Sequence, residues 1–356
     1  MKQTGSRKWI LGFFAAALIM LLLVSVLAYA VDPFFQFRVR DNSYLLNSWF
    51  VSSGLIENYD YDTLIIGSSM VQCFEMDDFR NKLGAKPLHV GLGGINQEEI
   101  SRLTNLAYDT PQASRFYICV DLAFFTGNSE GNRYPEYLLN RDLLSRLRYL
   151  LSYEVCFRYV PVDLGLMAAD RLGIRLPDKI EYSRSVDRLE DWRLDFPEVG
   201  KEAVLENYRN DRYSVSKVNL SGLSETMIAN IDEFLASFDY ERGKHVFFFP
   251  PYSSLFWCDA QESGYYSVYL QGKQYFIEKA EQYGAEVYDF QSDDLTTDLE
   301  NYKDLTHYLP AVNSWMVDCF ASGEYLVSTE NEALYREKLT ENTNRFREEY
   351  AYLFDN

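Results

Sequence analysis

The chain is poor in histidine, in cysteine and in positive charge. Its 356 residues include three histidines, His89, His245 and His307, and five cysteines, Cys73, Cys119, Cys156, Cys258 and Cys319. No Cys-x-x-Cys occurs and no Cys/His group has metal-ligand spacing, so neither a zinc site nor any other cofactor is expected. The odd number of cysteines and their apolar neighbours argue for small buried side chains rather than a disulfide framework. Lys and Arg total 34 against 53 Asp and Glu, a net charge of -19. A surface with that balance repels phosphate backbones, which argues against a nucleic-acid partner. The glycine-rich stretch Gly91-Leu-Gly-Gly94 lacks the lysine that a phosphate-binding loop needs. Internal repeats and low-complexity tracts are missing as well.

Charge is absent altogether from residues 9–31, a run of 23 residues. A helix of that length crosses the roughly 30 Å hydrocarbon core of a bilayer. Lys2, Arg7 and Lys8 precede the run and Asp32-Pro33 closes it. Positive charge on the N-terminal side holds that end in the cytoplasm and puts the body of the chain outside. The rival reading is a cleaved signal peptide, with Ala28-Tyr-Ala30 as the cleavage site. The run exceeds the roughly 7–15 residues of a signal h-region, which favours an uncleaved, single-pass anchor.

Four parts follow the cytoplasmic residues 1–8: the anchor at 9–31, an aromatic connector at 32–60, a globular part at 61–330 with an insertion at about 124–240, and a charged C-terminal helix at 331–356. Short apolar strands fall at 62–67, 87–90, 114–121, 244–250 and 285–289. Helical spacing occupies 76–83, 96–109, 261–283 and the residues from Pro310 to about 320. Short, nearly continuous apolar strands alternating with helices specify an α/β fold, a sheet of about five parallel strands covered on both faces. The insertion carries helical stretches near 141–151 and 225–238. It is expected over the strand ends as part of a substrate cleft, or else as a purely structural layer. The tail helix, with little apolar face, is expected to be a solvated surface element.

Chemistry in such sheets gathers beyond the C-terminal ends of the strands. Four features fall there: Gly67-Ser68-Ser69, the loop from Gly91 to Asn96, Asp121, and Asp304-Leu-Thr-His307. A nucleophilic hydroxyl needs a base within hydrogen-bond reach, and the base needs a group to orient it. Ser69, His307 and Asp304 supply the three types. Each has a plainer reading. Ser68 and Ser69 suit a helix cap, Asp304 and His307 a turn before Pro310, and Asp121 a carboxylate bonded to backbone N–H groups.

The order of these blocks resembles the SGNH/GDSL hydrolase superfamily, and within it the membrane-anchored branch of DltD-like and alginate O-acetylation proteins. The resemblance covers roughly 62–121 and 244–321. It implies a three-layer α/β/α sandwich, flavodoxin-like in form. It implies Ser69 as nucleophile, His307 as base and Asp304 as its orienting carboxylate. The oxyanion donors would be the N–H groups of Ser69 and Gly94, with Gly91 the next candidate. Ser68 stands where the superfamily usually has aspartate. One block departs from the pattern: Asp121 falls where an asparagine donor is usual, and Asn96 is the substitute donor at hand. The implied activity is ester hydrolysis or O-acyl transfer on cell-envelope glycans. The implied partners are the bilayer, an envelope polysaccharide and a membrane O-acyltransferase. The alternative is an SGNH-fold partner of low or no activity that binds glycan or such an acyltransferase.

Overall fold

The computed structural model describes residues 4–40, 43–127, 133–174, 184–194, 198–211 and 221–354. In chain order the elements are α1 (Thr4–Val31), α2 (Ser48–Asn58), β1 (Thr63–Gly67), α3 (Met76–Leu83), β2 (Pro87–Gly91), α4 (Gln97–Ala107), β3 (Arg115–Cys119), α5 (Glu136–Leu139), α6 (Leu143–Leu151), a π-helical segment (Glu154–Tyr159) and α7 (Val160–Arg171). There follow α8 (Lys201–Asp211), α9 (Leu223–Ala236), β4 (Lys244–Phe249), α10 (Ser254–Ser263), α11 (Tyr266–Gln282), β5 (Glu286–Asp289), α12 (Pro310–Ser322), β6 (Leu326–Val327) and α13 (Glu332–Glu349). They form two compact units, Met1–Tyr59 with Arg133–Ser185, and Asp60–Asn132 with Val186–Asn356. The stretch 124–240 is therefore shared. Its middle joins the unit of the N-terminal helix, and the rest belongs to the unit of the sheet.

In the second unit the sheet has the order β2-β1-β3-β4-β5-β6. The first five strands run parallel, and β6 pairs antiparallel with β5. The parallel strands are short and buried almost throughout, as β1 with Thr-Leu-Ile-Ile-Gly and β4 with its Phe-Phe-Phe end illustrate. Burial on both faces makes a strand read as one apolar run instead of an alternation. The chain turns from one side of β1 to the other between β2 and β3. In a doubly wound sheet the crevice opens at that point. The core on one face packs Ile65, Phe79, Tyr117, Phe248, Tyr288, Phe290 and Phe320.

Local signals set the helix ends. Asn96 and Glu99 form a reciprocal capping box at α4, and Pro310 begins α12. Gly84 and Gly323, at φ 58° and 77°, end α3 and α12 in the left-handed region that glycine tolerates. Helix α13 buries Leu339, Asn342, Thr343 and Phe346. It is thus a packed element, and not the solvated one its composition suggests. The Asn342 amide explains this in part, since it donates to the Ser292 carbonyl at 3.0 Å and lets a polar face dock. All five cysteines are buried free thiols.

In the first unit α1 is long and apolar enough over Arg7–Val31 to cross a membrane. Asp32 then folds the chain back. Its carboxylate accepts from the N–H groups of Gln36 and Phe37, both at 2.9 Å, and from the Tyr149 hydroxyl at 2.9 Å. The aromatic stretch after α1 is ordered, with Phe34 and Phe35 buried and α2 enclosing Val51, Leu55 and Ile56.

Candidate active site

Strand β1 ends at Gly67, and the chain turns at once into a short 3-10 turn, Ser69–Val71. Ser68 caps that turn by accepting from the Met70 N–H at 3.3 Å. Glycine is required at 67 because a Cβ there would stand 2.4 Å from Cys119 Cβ and 2.9 Å from Val71 Cγ1. Gly91, its partner across β2, is held to the same size by His89, Val71 and Gln72. The Leu92 N–H then donates to the Gly67 carbonyl at 3.0 Å, so the loop after β2 lies against the serine turn.

The loop between residues 302 and 308 is closed by a bridge between Tyr302 and Tyr308. The loop and the helix that follows are attached to the serine turn by one bond each: the Tyr308 hydroxyl donates to the Met70 carbonyl at 2.8 Å, and the Asn313 amide of α12 donates to the same oxygen at 3.3 Å. His307 Nε2 lies 2.8 Å from Ser69 Oγ, and His307 Nδ1 lies 2.8 Å from Asp304 Oδ2. The other carboxylate oxygen accepts from the N–H groups of His307 at 2.8 Å and Thr306 at 2.9 Å. Burial works against ionisation of Asp304. The His307 ring and the two backbone donors outweigh it and hold the carboxyl down at about 2. An ionised Asp304 accepts a hydrogen bond from Nδ1–H, which keeps the proton on Nδ1 and leaves Nε2 as the acceptor facing the serine hydroxyl.

Asp121 lies at the end of β3, buried behind the turn. Its carboxylate accepts from Ser68 Oγ at 2.6 Å and from the Tyr252 hydroxyl. Burial pushes its carboxyl up, against the pull of those two donors and the nearby His307. Ser68 is thus tied to Asp121, while Ser69 is tied to His307. Gly94, at φ 69°, sits exposed in the loop after β2. Asn96 is partly exposed, and its side-chain oxygen accepts from the Glu99 N–H at 2.9 Å as the α4 cap. The other two histidines are structural. His89 is buried with Nε2 at 2.8 Å from the Val71 carbonyl, and burial lowers its basicity. His245 is sunk among Phe116, Phe238 and Tyr240.

A second set of residues borders the triad. The segment 187–193 lies beside it, and no motif in the sequence marks that segment. The Trp192 ring meets the His307 ring edge-on at 5.6 Å. Lys303 Nζ lies 5.3 Å from the centre of the Trp192 ring and 3.7 Å from Asp304 Oδ2. Gln72, just past the serine turn, accepts from the Trp192 N–H at 3.0 Å and donates to Glu190 at 2.8 Å. Glu190 Oε2 also takes the Gly93 N–H at 2.7 Å.

Among the described residues no group of three or more His, Cys, Asp and Glu side chains is placed to hold a metal ion. Comparison with protein-family models, with curated proteins and with solved structures gave no match.

Proposed function

We propose that the chain is a membrane-anchored, extracytoplasmic serine esterase or O-acyltransferase of the SGNH type, acting on acyl esters of a cell-envelope glycan. The observation that carries this reading is the continuous relay Asp304–His307–Ser69, with both hydrogen bonds at 2.8 Å. As His307 Nε2 removes its proton, Ser69 Oγ attacks the acyl carbonyl carbon. The carbonyl oxygen becomes an oxyanion, for which the N–H groups of Ser69 and Gly94 are the donors. The first N–H groups of a helical turn have no partner within it, which favours Ser69 in that role. When the tetrahedral intermediate collapses, the alcohol leaves with the proton from His307. Water or a sugar hydroxyl then repeats the sequence in reverse on the Ser69 ester.

The anchor in this reading is α1, with Lys2, Arg7 and Lys8 on its cytoplasmic side. Export puts the site beside envelope glycan and beside any membrane O-acyltransferase that hands on acyl groups. The choice of glycan rests on the family resemblance. The test is covalent labelling with a fluorophosphonate probe: the wild-type chain is expected to label and Ser69→Ala is not. A second reading, a binding partner of low activity, is favoured by one contact. The Gly93 N–H, next to the proposed oxyanion donor, is already taken by Glu190. If wild type stays unlabelled while Glu190→Gln becomes reactive, the loop is blocked at rest. If neither labels, the enzyme reading is lost.

A further inference from the structure

The first unit presents apolar side chains on two opposite sides of the same helix. On α6, Ser145 and Tyr149 face inward, and the Tyr149 hydroxyl reaches Asp32 Oδ1 at 2.9 Å. The opposite side carries Leu143, Leu144, Leu147 and Leu151, all exposed, with Leu143 at 76%. A surface helix of a water-soluble unit normally turns charge outward there. The pattern continues into the π-helical segment, where Tyr153 and Phe157 stack on each other while 78% and 63% exposed. It extends into α7 with Val162 and Leu164. Among the described residues outside α1, most exposed large apolar side chains fall between positions 143 and 174. A contiguous apolar surface of this kind marks an interaction face.

Its neighbour says what covers it. Helices α6 and α7 and the π-helical segment pack against α1. The residues that lose exposure in the last turns of α1 are Val24, Ser25, Ala28 and Val31, one stripe at helical spacing. From Val24 to Val31 the axis advances about 10 Å at roughly 1.5 Å per residue. Helices lying along that stripe therefore overlap the outer part of the apolar span. An interfacial helix buries its apolar face about 5–10 Å into the boundary between headgroups and acyl chains.

We propose that the outer face of α6, the π-helical segment and α7 is a second membrane contact, embedded in the leaflet through which the C-terminal end of α1 emerges. The inference rests on α1 being a membrane anchor. Its occupant is lipid: the face is continuous with the apolar surface of α1, and exposed arginines, Arg148 and Arg158, stand among its apolar residues where they reach headgroup phosphates. The unit then grips the bilayer at two places.

The test uses the full chain in phosphatidylcholine–phosphatidylglycerol vesicles. Leu21→Cys, Leu147→Cys and Phe157→Cys, each at an exposed position, are labelled with an environment-sensitive fluorophore. Lipids brominated near the ester end of their acyl chains, for positions 147 and 157, or near the methyl end, for position 21, serve as the quenchers, and aqueous iodide as the opposing one. The expected result is loss of most emission at positions 147 and 157 with brominated lipid, and little loss with iodide. If position 21 is quenched by lipid while 147 and 157 respond to iodide, the second contact is overturned and the anchor stands. Shielding of 147 and 157 from both quenchers overturns it too, because protein then covers the face. If position 21 is not quenched by lipid, the anchor reading fails and the inference falls with it.

Discussion

At the residue scale the three groups of the relay depend on one another. Asp304→Asn keeps the shape of the loop but turns an amide N–H toward Nδ1 in place of the accepting carboxylate oxygen, so His307 presents the wrong tautomer to Ser69. Probe labelling and ester turnover should fall about a thousand- to ten-thousand-fold, with the fold intact by circular dichroism. Gln72→Leu removes both links to the segment 187–193 without touching the triad. If that segment steadies the His307 ring through Trp192, labelling should slow about tenfold while thermal stability drops only slightly; unchanged labelling would mean the contact is mere packing. The grouping of Ser69, His307 and Asp304 was readable from the sequence because histidine is scarce and only His307 has an acidic residue close by in a loop that opens a helix. Tyr308, Asn313, Gln72, Glu190 and Trp192 were not, since each works through a partner far away in sequence, and a tyrosine or glutamine carries no mark of the carbonyl it will meet.

At the element scale the turn after β1 is closely packed. Gly67→Ala drives a methyl to 2.4 Å from Cys119 Cβ and 2.9 Å from Val71 Cγ1. The cost should be roughly 1–3 kcal/mol, measured as a shift in the urea midpoint, and the serine would be displaced with it. Gly94→Ala meets no neighbouring atom but is strained at φ 69°; about 1–2 kcal/mol is expected from the left-handed backbone alone. Comparing the two separates crowding from backbone strain. Strands β1 to β5 were legible because burial on both faces writes an unbroken apolar run. The short antiparallel β6 was not, since Leu326 and Val327 are too few to form a pattern. Nor was the division of 124–240 between two units. It depends on Tyr149 and Asp163 finding Asp32 and Arg40, pairings without a local signature.

At the scale of the whole molecule, acid should weaken the fold in two steps. Burial lowers the His245 ring to about 4 from 6.5, against the pull of the Gly243 carbonyl. Its neutral form fits the fold, as Nε2 accepts from the Tyr108 hydroxyl at 2.6 Å. That contribution is complete above pH 6.5 and is lost as the pH falls toward 4, roughly 3 kcal/mol at about 1.4 kcal/mol per unit. Asp304, held at about 2 against 3.8, contributes above 3.8 and loses its share as the pH falls toward 2, roughly 2 kcal/mol by the same conversion. Urea unfolding across pH 7 to 3 should show the first loss well before the second; a flat profile down to pH 4.5 would contradict the His245 argument. The buried thiols have a consequence of another kind. Burial pushes Cys258 and Cys319 up to about 12, and thiols in that state neither ionise nor meet a reagent. The folded chain is therefore silent to thiol dyes; opening of the sheet unit makes Cys73, Cys119, Cys258 and Cys319 available and opening of the other unit makes Cys156 available, so the rate of modification at each serves as an internal clock for the opening of its unit.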